Sequence, residues 1–189
     1  MNDFIADQTF KGINYTQSPL PKGDYENCVF EGCDFSKGYL DNQNFMECEF
    51  LDCNLSNANI ANTTFKEVVF SHCKMLGLKF EDCNDFLMKF SFQECILNFS
   101  SFYDLKLKNQ KFADCTLEEV DFTQADLAHA QFTECDLKGA IFSATVLENA
   151  DFRTARNVNI DPEKNRLKKA RFSKEGAIGL LKKYDIVVE

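Results

Sequence analysis

Tryptophan is absent from this 189-residue chain, histidine occurs twice and proline three times, and no long apolar run exists. Without about 18 consecutive apolar residues there is no transmembrane helix. The opening Met1-Asn2-Asp3-Phe4-Ile5-Ala6-Asp7 lacks the basic, apolar and small-residue succession of a secretory signal, so a cytoplasmic protein is expected. The eight glycines are scattered and form no phosphate-binding loop. His72 and His129 have no partnered nucleophile or ligand cluster in the sequence, so neither a catalytic residue nor a cofactor is expected. No Cys-x-x-Cys pair occurs among the nine cysteines, which removes the usual zinc spacing and with it the expectation of a metal.

What is abundant is phenylalanine, 20 residues of it, in a chain that is 44% apolar and 27% charged, a composition suited to a soluble folded domain. Such a skew points to internal repeats. Every fifth residue from Phe10 through Phe80 is apolar; the frame then slips by two and resumes as Leu87, Phe92, Leu97 and Phe102, continuing to Phe152. All 29 of these centres are apolar. Neither the 3.6-residue period of a helix nor the two-residue period of a flat strand keeps that pattern on one side. A second column, two residues before each centre, is mostly small in the later half: Cys95, Ser100, Cys115, Ala125, Ala130, Cys135 and Ala150. A large centre beside a small inward neighbour describes a chain that turns a corner every five residues. Four corners close a square coil, and coils stacked about 4.8 Å apart make a rod of roughly 35 Å.

The copies Ala125-Asp126-Leu127-Ala128-His129, Cys135-Asp136-Leu137-Lys138-Gly139 and Ala150-Asp151-Phe152-Arg153-Thr154 resemble the pentapeptide-repeat family, whose motif is a small residue, Asp or Asn, a central Leu or Phe, and two variable polar residues. The resemblance covers about residues 10–155, although the copies from Phe10 to Tyr25, with Pro19 and Pro21, depart from the small-residue rule. It implies an all-β fold, the right-handed quadrilateral β-helix. Residues 1–155 are assigned to it, and 156–189 to a last partial coil and a C-terminal cap.

All nine cysteines fall on the small inward column and are expected to be buried free thiols. Both histidines lie two residues after a centre and should face outward. The slip between Phe80 and Leu87 adds two residues, either as a tolerated loop or as a recognition knob. Phe90, on a small-residue position, would crowd the interior or widen a corner, and Phe99 should point outward. In the tail, Ser173 is a plausible N-cap for a short helix with Ala177, Ile178, Leu180, Leu181 and Tyr184 on its apolar side. Asp185-Ile186-Val187-Val188-Glu189 reads as a final strand. The tail would cover the open end of the helix, which is otherwise a pairing edge; its apolar side could also join two copies as a homodimer.

Charge is segregated. Residues 1–155 carry 12 Lys and Arg against 25 Asp and Glu, net −13, and residues 156–189 carry 9 against 5, net +4. An acidic rod repels nucleic acid and attracts a protein that presents a basic groove. One outward column at the coil period reads Asp52, His72, Glu94, Asp114 and Glu134, and its carboxylates are the candidate partner-binding residues. The layout is similar to the quinolone-resistance (Qnr-like) branch of the family, which has a dimerising C-terminal helical cap. That resemblance implies a DNA mimic that occupies the DNA-binding surface of DNA gyrase or topoisomerase IV and gives quinolone protection, with no direct nucleic-acid or membrane contact. The alternative is a general protein-interaction scaffold with no topoisomerase role, its acidity serving only solubility.

Overall fold

A computed structural model describes residues 3–187 of the chain. It resolves into two units, Met1–Leu97 and Asn98–Glu189. Both are built from one corner, repeated. The residue before each centre, commonly Asp or Asn, accepts the backbone N–H two positions on. Asp34 takes Ser36 N at 2.9 Å, Asp121 takes Thr123 N at 2.8 Å and Asp136 takes Lys138 N at 3.0 Å. This is an Asx turn, in which a short polar side chain replaces a backbone acceptor. The residue two after the centre adopts the left-handed conformation, as Asn57, Asn62, Asn109 and Asn149 do with φ of 55° to 61°. Asparagine tolerates that region better than most L-residues.

In unit 1, β1 (Asp3–Ala6), β3 (Gly23–Glu26), β5 (Asn44–Met46) and β7 (Thr64–Ser71) form one parallel ladder. A second joins β2 (Thr9–Lys11), β4 (Val29–Glu31) and β6 (Glu49–Leu51) to β7, which also pairs with β8 (Lys89–Gln93). The register is 20 residues, Tyr25 on Phe45 on Phe65 and Phe10 on Phe30 on Phe50 on Phe70. Unit 2 repeats the design with β9 (Lys111–Ala113), β10 (Gln131–Thr133), β11 (Asp151–Phe152) and β12 (Arg171–Phe172). The fold is the expected right-handed quadrilateral β-helix with a short C-terminal helix.

In-register pairing places like rings over one another. Phe10, Phe30, Phe50, Phe70 and Phe92 stack with centroids 4.8–5.5 Å apart, and Phe112, Phe132, Phe152 and Phe172 at 4.7–5.2 Å. Neighbouring corners meet edge to face, as Phe30 and Phe35 do at 5.7 Å. Both geometries suit the ring quadrupole.

The inward column is more than small. Cys48 Sγ donates to Tyr25 O at 3.4 Å, Cys53 to Phe30 O at 3.2 Å, Cys73 to Phe50 O at 3.3 Å and Cys135 to Phe112 O at 3.5 Å, each to a centre 23 residues earlier. Thr63, Thr145 and Asn165 use the same offset, to Leu40, Phe122 and Phe142. The thiols therefore serve as weak donors to inward carbonyls as well as filling space. All nine cysteines are buried thiols outside any disulfide.

Four details differ from the sequence reading. Leu87 is 57% exposed with φ of 58°, while Phe90 is only 5% exposed. The first frame would put Asp85 inside, so the chain bulges outward through Asp85-Phe86-Leu87, and the Phe90 ring fills the vacated corner 5.3 Å from Phe80 and 5.1 Å from Phe92. Phe10, in the first coil, is only half-buried. The tail helix α1 is four residues, Lys174–Ala177, followed by 3-10 turns Ile178–Leu180 and Lys182–Tyr184; Ser173 caps it through Gly176 N at 2.9 Å. The expected final strand is not formed by Asp185–Val187, where Asp185 is left-handed, and Val188 and Glu189 lie outside the described residues. Phe99 is outward, 59% exposed, as expected.

Candidate functional site

The four candidate carboxylates share one local conformation. Asp52, Glu94, Asp114 and Glu134 each follow a centre by two residues, are exposed, and hold φ of 51° to 53°. Three of the backbones are anchored to the next coil. Asp52 N donates to Ser71 O at 3.0 Å, Asp114 N to Thr133 O at 2.8 Å and Glu134 N to Thr154 Oγ1 at 2.9 Å. The corner thus projects these three carboxylates from a hydrogen-bonded backbone. In unit 1 the column is interrupted by His72, whose Nδ1 lies 3.3 Å from Glu94 Oε2. In unit 2, Asp114 and Glu134 occupy successive coils, with Lys111–Ala113 paired on Gln131–Thr133 just before them.

Much of the remaining acidity is already engaged. The Asx aspartates are bound to their own corners. Glu31, Glu118 and Glu148 pair with Lys11, Lys138 and Arg166 at 2.7–2.8 Å. Arg153 grips Asp151 through two nitrogens at 2.7–3.1 Å and holds its carboxyl below the usual carboxylate range. These carboxylates are therefore committed to contacts within the chain, although their charge is already counted in its net charge.

A denser acidic strip, which the sequence reading passed over, lies on unit 1. Asp7, Asn27, Glu47 and Glu67 form one left-handed corner column with φ of 49° to 56°, flanked by Glu26 and Glu49. Asn27 Nδ2 donates to Asp7 Oδ1 at 2.6 Å, and Glu67 meets Lys89 at 3.1 Å. Reading every twentieth residue from Asp7 would have found it.

In the tail, Ile178, Leu181 and Tyr184 are exposed, and Ala177 and Leu180 half-buried. Gly179 is buried where a Cβ would collide with the Val158 carbonyl, so a side chain is excluded at this contact. Lys183 Nζ reaches Asp161 at 2.7 Å and Glu163 at 2.6 Å and lies 4.9 Å from the Tyr184 ring, while Tyr184 Oη donates to Glu163 at 3.0 Å. These contacts hold the tail on residues 158–163. Among the described residues no group of three or more His, Cys, Asp or Glu is placed to hold a metal ion.

No curated protein matches the chain. Among solved structures, a trypsin-treated variant of QnrB1, described as a plasmid-mediated fluoroquinolone resistance protein, aligns with a TM-score of 0.50 at 21% identity, covering 98% of this chain and 99% of that one. HetL from the cyanobacterium Nostoc sp. strain PCC 7120, described as a pentapeptide-repeat protein involved in heterocyst differentiation regulation, aligns with a TM-score of 0.50 at 17% identity, covering 89% and 86%. At these identities the likeness concerns the fold. The family model described as a pentapeptide repeat region matches residues 43–122 and 85–161, more than half of the sequence. By that match, and by the five-residue corner repeated through both units, the chain belongs to the pentapeptide-repeat family.

Proposed function

We propose that this chain is a non-catalytic, cytoplasmic protein-binding β-helix that presents carboxylates to the basic DNA-binding surface of DNA gyrase or topoisomerase IV, and so gives quinolone protection. The observation that carries the reading is the set of exposed carboxylates at Asp52, Glu94, Asp114 and Glu134, each on a left-handed corner, with Asp52, Asp114 and Glu134 held by backbone N–H bonds to the next coil. Preorganised charges lose little freedom on binding, and a basic groove attracts a rigid polyanion at long range. The fold likeness to QnrB1 supports it. None of the described helices is long and apolar enough to cross a membrane.

The test is gyrase supercoiling with and without a fluoroquinolone, together with direct binding across a salt series. Binding should weaken steeply with salt. Reversing Glu94 and Asp114 to Lys should weaken it by about tenfold, more than reversing the exposed Asp104 and Glu119. Absence of both a gyrase effect and a salt-sensitive complex would leave the second reading, a general scaffold. The share of acidic side chains engaged in Asx turns and ion pairs favours that alternative.

We also propose a homodimer through Ala177, Ile178, Leu180, Leu181 and Tyr184. Ile178, Leu181 and Tyr184 are exposed, and Ala177 and Leu180 half-buried, beside the docked turn at Gly179. Leu181→Glu should weaken the dimer at least about tenfold by sedimentation, since burying a leucine is worth about 1.5–3 kcal/mol. A wild-type monomer at high concentration would remove this claim.

A further inference from the structure

One stretch of the repeat carries opposite charge in the two units. It surrounds the corner that follows Tyr25, Phe45 and Phe65 in unit 1 and Leu107, Leu127, Leu147 and Leu167 in unit 2, positions equivalent in the repeat. In unit 1 this corner holds six acids against Lys66 and Lys89, net −4. In unit 2 it holds seven Lys and Arg against Asp126, Glu148 and Asp151, net +4. Those three acids are engaged by Lys108 at 3.4 Å, Arg166 at 2.8 Å and Arg153 at 2.7 Å. Lys106, Lys111, Lys168, Lys169 and Arg171 make no ion pair among the described residues. Between them runs an open groove of about 540 Å³ lined by Asn109, Lys111, His129, Gln131, Asn149 and Arg171, together with the Asp151 that Arg153 already binds. Its lining suits a carboxylate. On unit 1, Glu26, Glu47 and Glu49 are likewise without an ion pair.

We propose that the basic face of unit 2 is a docking surface for the acidic strip of unit 1 in a second copy of this chain. Each face spans about three coil rises, about 14 Å. The two are thus matched in length and in charge, with opposite sign. A nucleic acid is the weaker candidate occupant, because a chain of net −9 repels a long polyanion at a distance. A second copy brings its carboxylates as a strip of the right length. The proposal does not rest on a topoisomerase partner, and this contact is distinct from the apolar one in the tail.

The test is sedimentation equilibrium of the full chain carrying Leu181→Glu, so that the tail contact is weakened. At an ionic strength of about 0.01 M a species heavier than the monomer should form, and it should return to monomer at about 1 M, as the Debye length falls from about 30 Å to about 3 Å. An apolar contact would instead persist in salt. The set Glu47→Lys, Glu49→Lys and Glu67→Lys should weaken association at least about tenfold, as should Lys168→Glu, Lys169→Glu and Arg171→Glu. Lysine is tolerated at these corners, since Lys37 and Lys169 already hold φ of 54° and 60°. Mixing the two sets in equal amounts should restore the heavier species, and this result separates matched charge from misfolding. A mixture no better associated than either set alone, or a wild-type surface that stays monomeric at low salt, would overturn the proposal. So would a labelled single-stranded oligonucleotide held by the unmodified chain and lost in the lysine-to-glutamate set, which would assign the face to a polyanion.

Discussion

Replacing Phe122 with alanine is expected to destabilise the chain by about 3–5 kcal/mol, measured by urea unfolding of the full protein. The side chain is fully buried in unit 2, stacked between Phe102 at 5.4 Å and Phe142 at 5.2 Å and meeting Phe112 and Phe132 edge to face at 5.9 Å. The backbone around it is held by the coils on either side, with Phe102 N bonded to Asp121 O and Phe122 N to Ile141 O at 2.8–2.9 Å. Little collapse can therefore close the cavity, and the cost should lie toward the upper end of the range for a buried ring. Leu87→Ala is the matched control. It belongs to the same five-residue series in the sequence, but its side chain is exposed, so the change should stay within about 0.5 kcal/mol. Equal effects at the two positions would contradict the register described above.

The nine cysteines should be almost unreactive towards an aromatic disulfide reagent in the native protein, and all nine should react after denaturation. Reaction requires the thiolate, and burial opposes it. Burial pushes the Cys48 thiol up to about 12, against the weaker opposing pull of its backbone hydrogen bonds, and raises Cys33 and Cys83 as well. Cys73 is raised by its thiol neighbours Cys53 and Cys95 in addition to burial. The sign of the linked pH effect follows. A thiol ionising near 9 when unfolded and near 12 when folded holds its proton more tightly in the native state, so its contribution is intact below pH 9 and is lost as pH rises towards 12. The loss is about 1.4 kcal/mol per pH unit for such a thiol. Rapid native labelling of Cys95, Cys115 or Cys135, or a stability that rises above pH 9, would contradict this account.

The architecture was legible because the repeat leaves little freedom. An apolar residue at every fifth position, with a small one two places before it, has no solution as a helix or flat strand. Its inward set was therefore readable apart from Phe10 and Leu87, and so were the outward Phe99 and the Ser173 cap of the tail helix. The sequence errors fall where the repeat breaks. At Asp85 the frame requires a carboxylate inside; the five-residue count restarts at Leu87, but the chain instead bulges and leaves Leu87 outside, while Phe90 is inward as its small-residue position implied. At Asn157 and Pro162 the frame again fails, and Val158, Ile160 and Asn165 take the interior, Asn165 donating to Phe142 O and Asp161 O and accepting Thr145 N.

The sequence by itself determined the coil, its period, the inward centres, the thiol column and the surplus of acid, because each depends on side-chain type at a fixed spacing. Tertiary structure decided which acids remain available. Asp121, Asp126 and Asp136 are bound to their own turns and Asp151 to Arg153, whereas Glu47 and Glu49 make no ion pair among the described residues. That distinction depends on distances between side chains on neighbouring coils and on the hydrogen bonds of each corner. Composition counts all these carboxylates alike, and only packed geometry shows which of them have already been neutralised or bound.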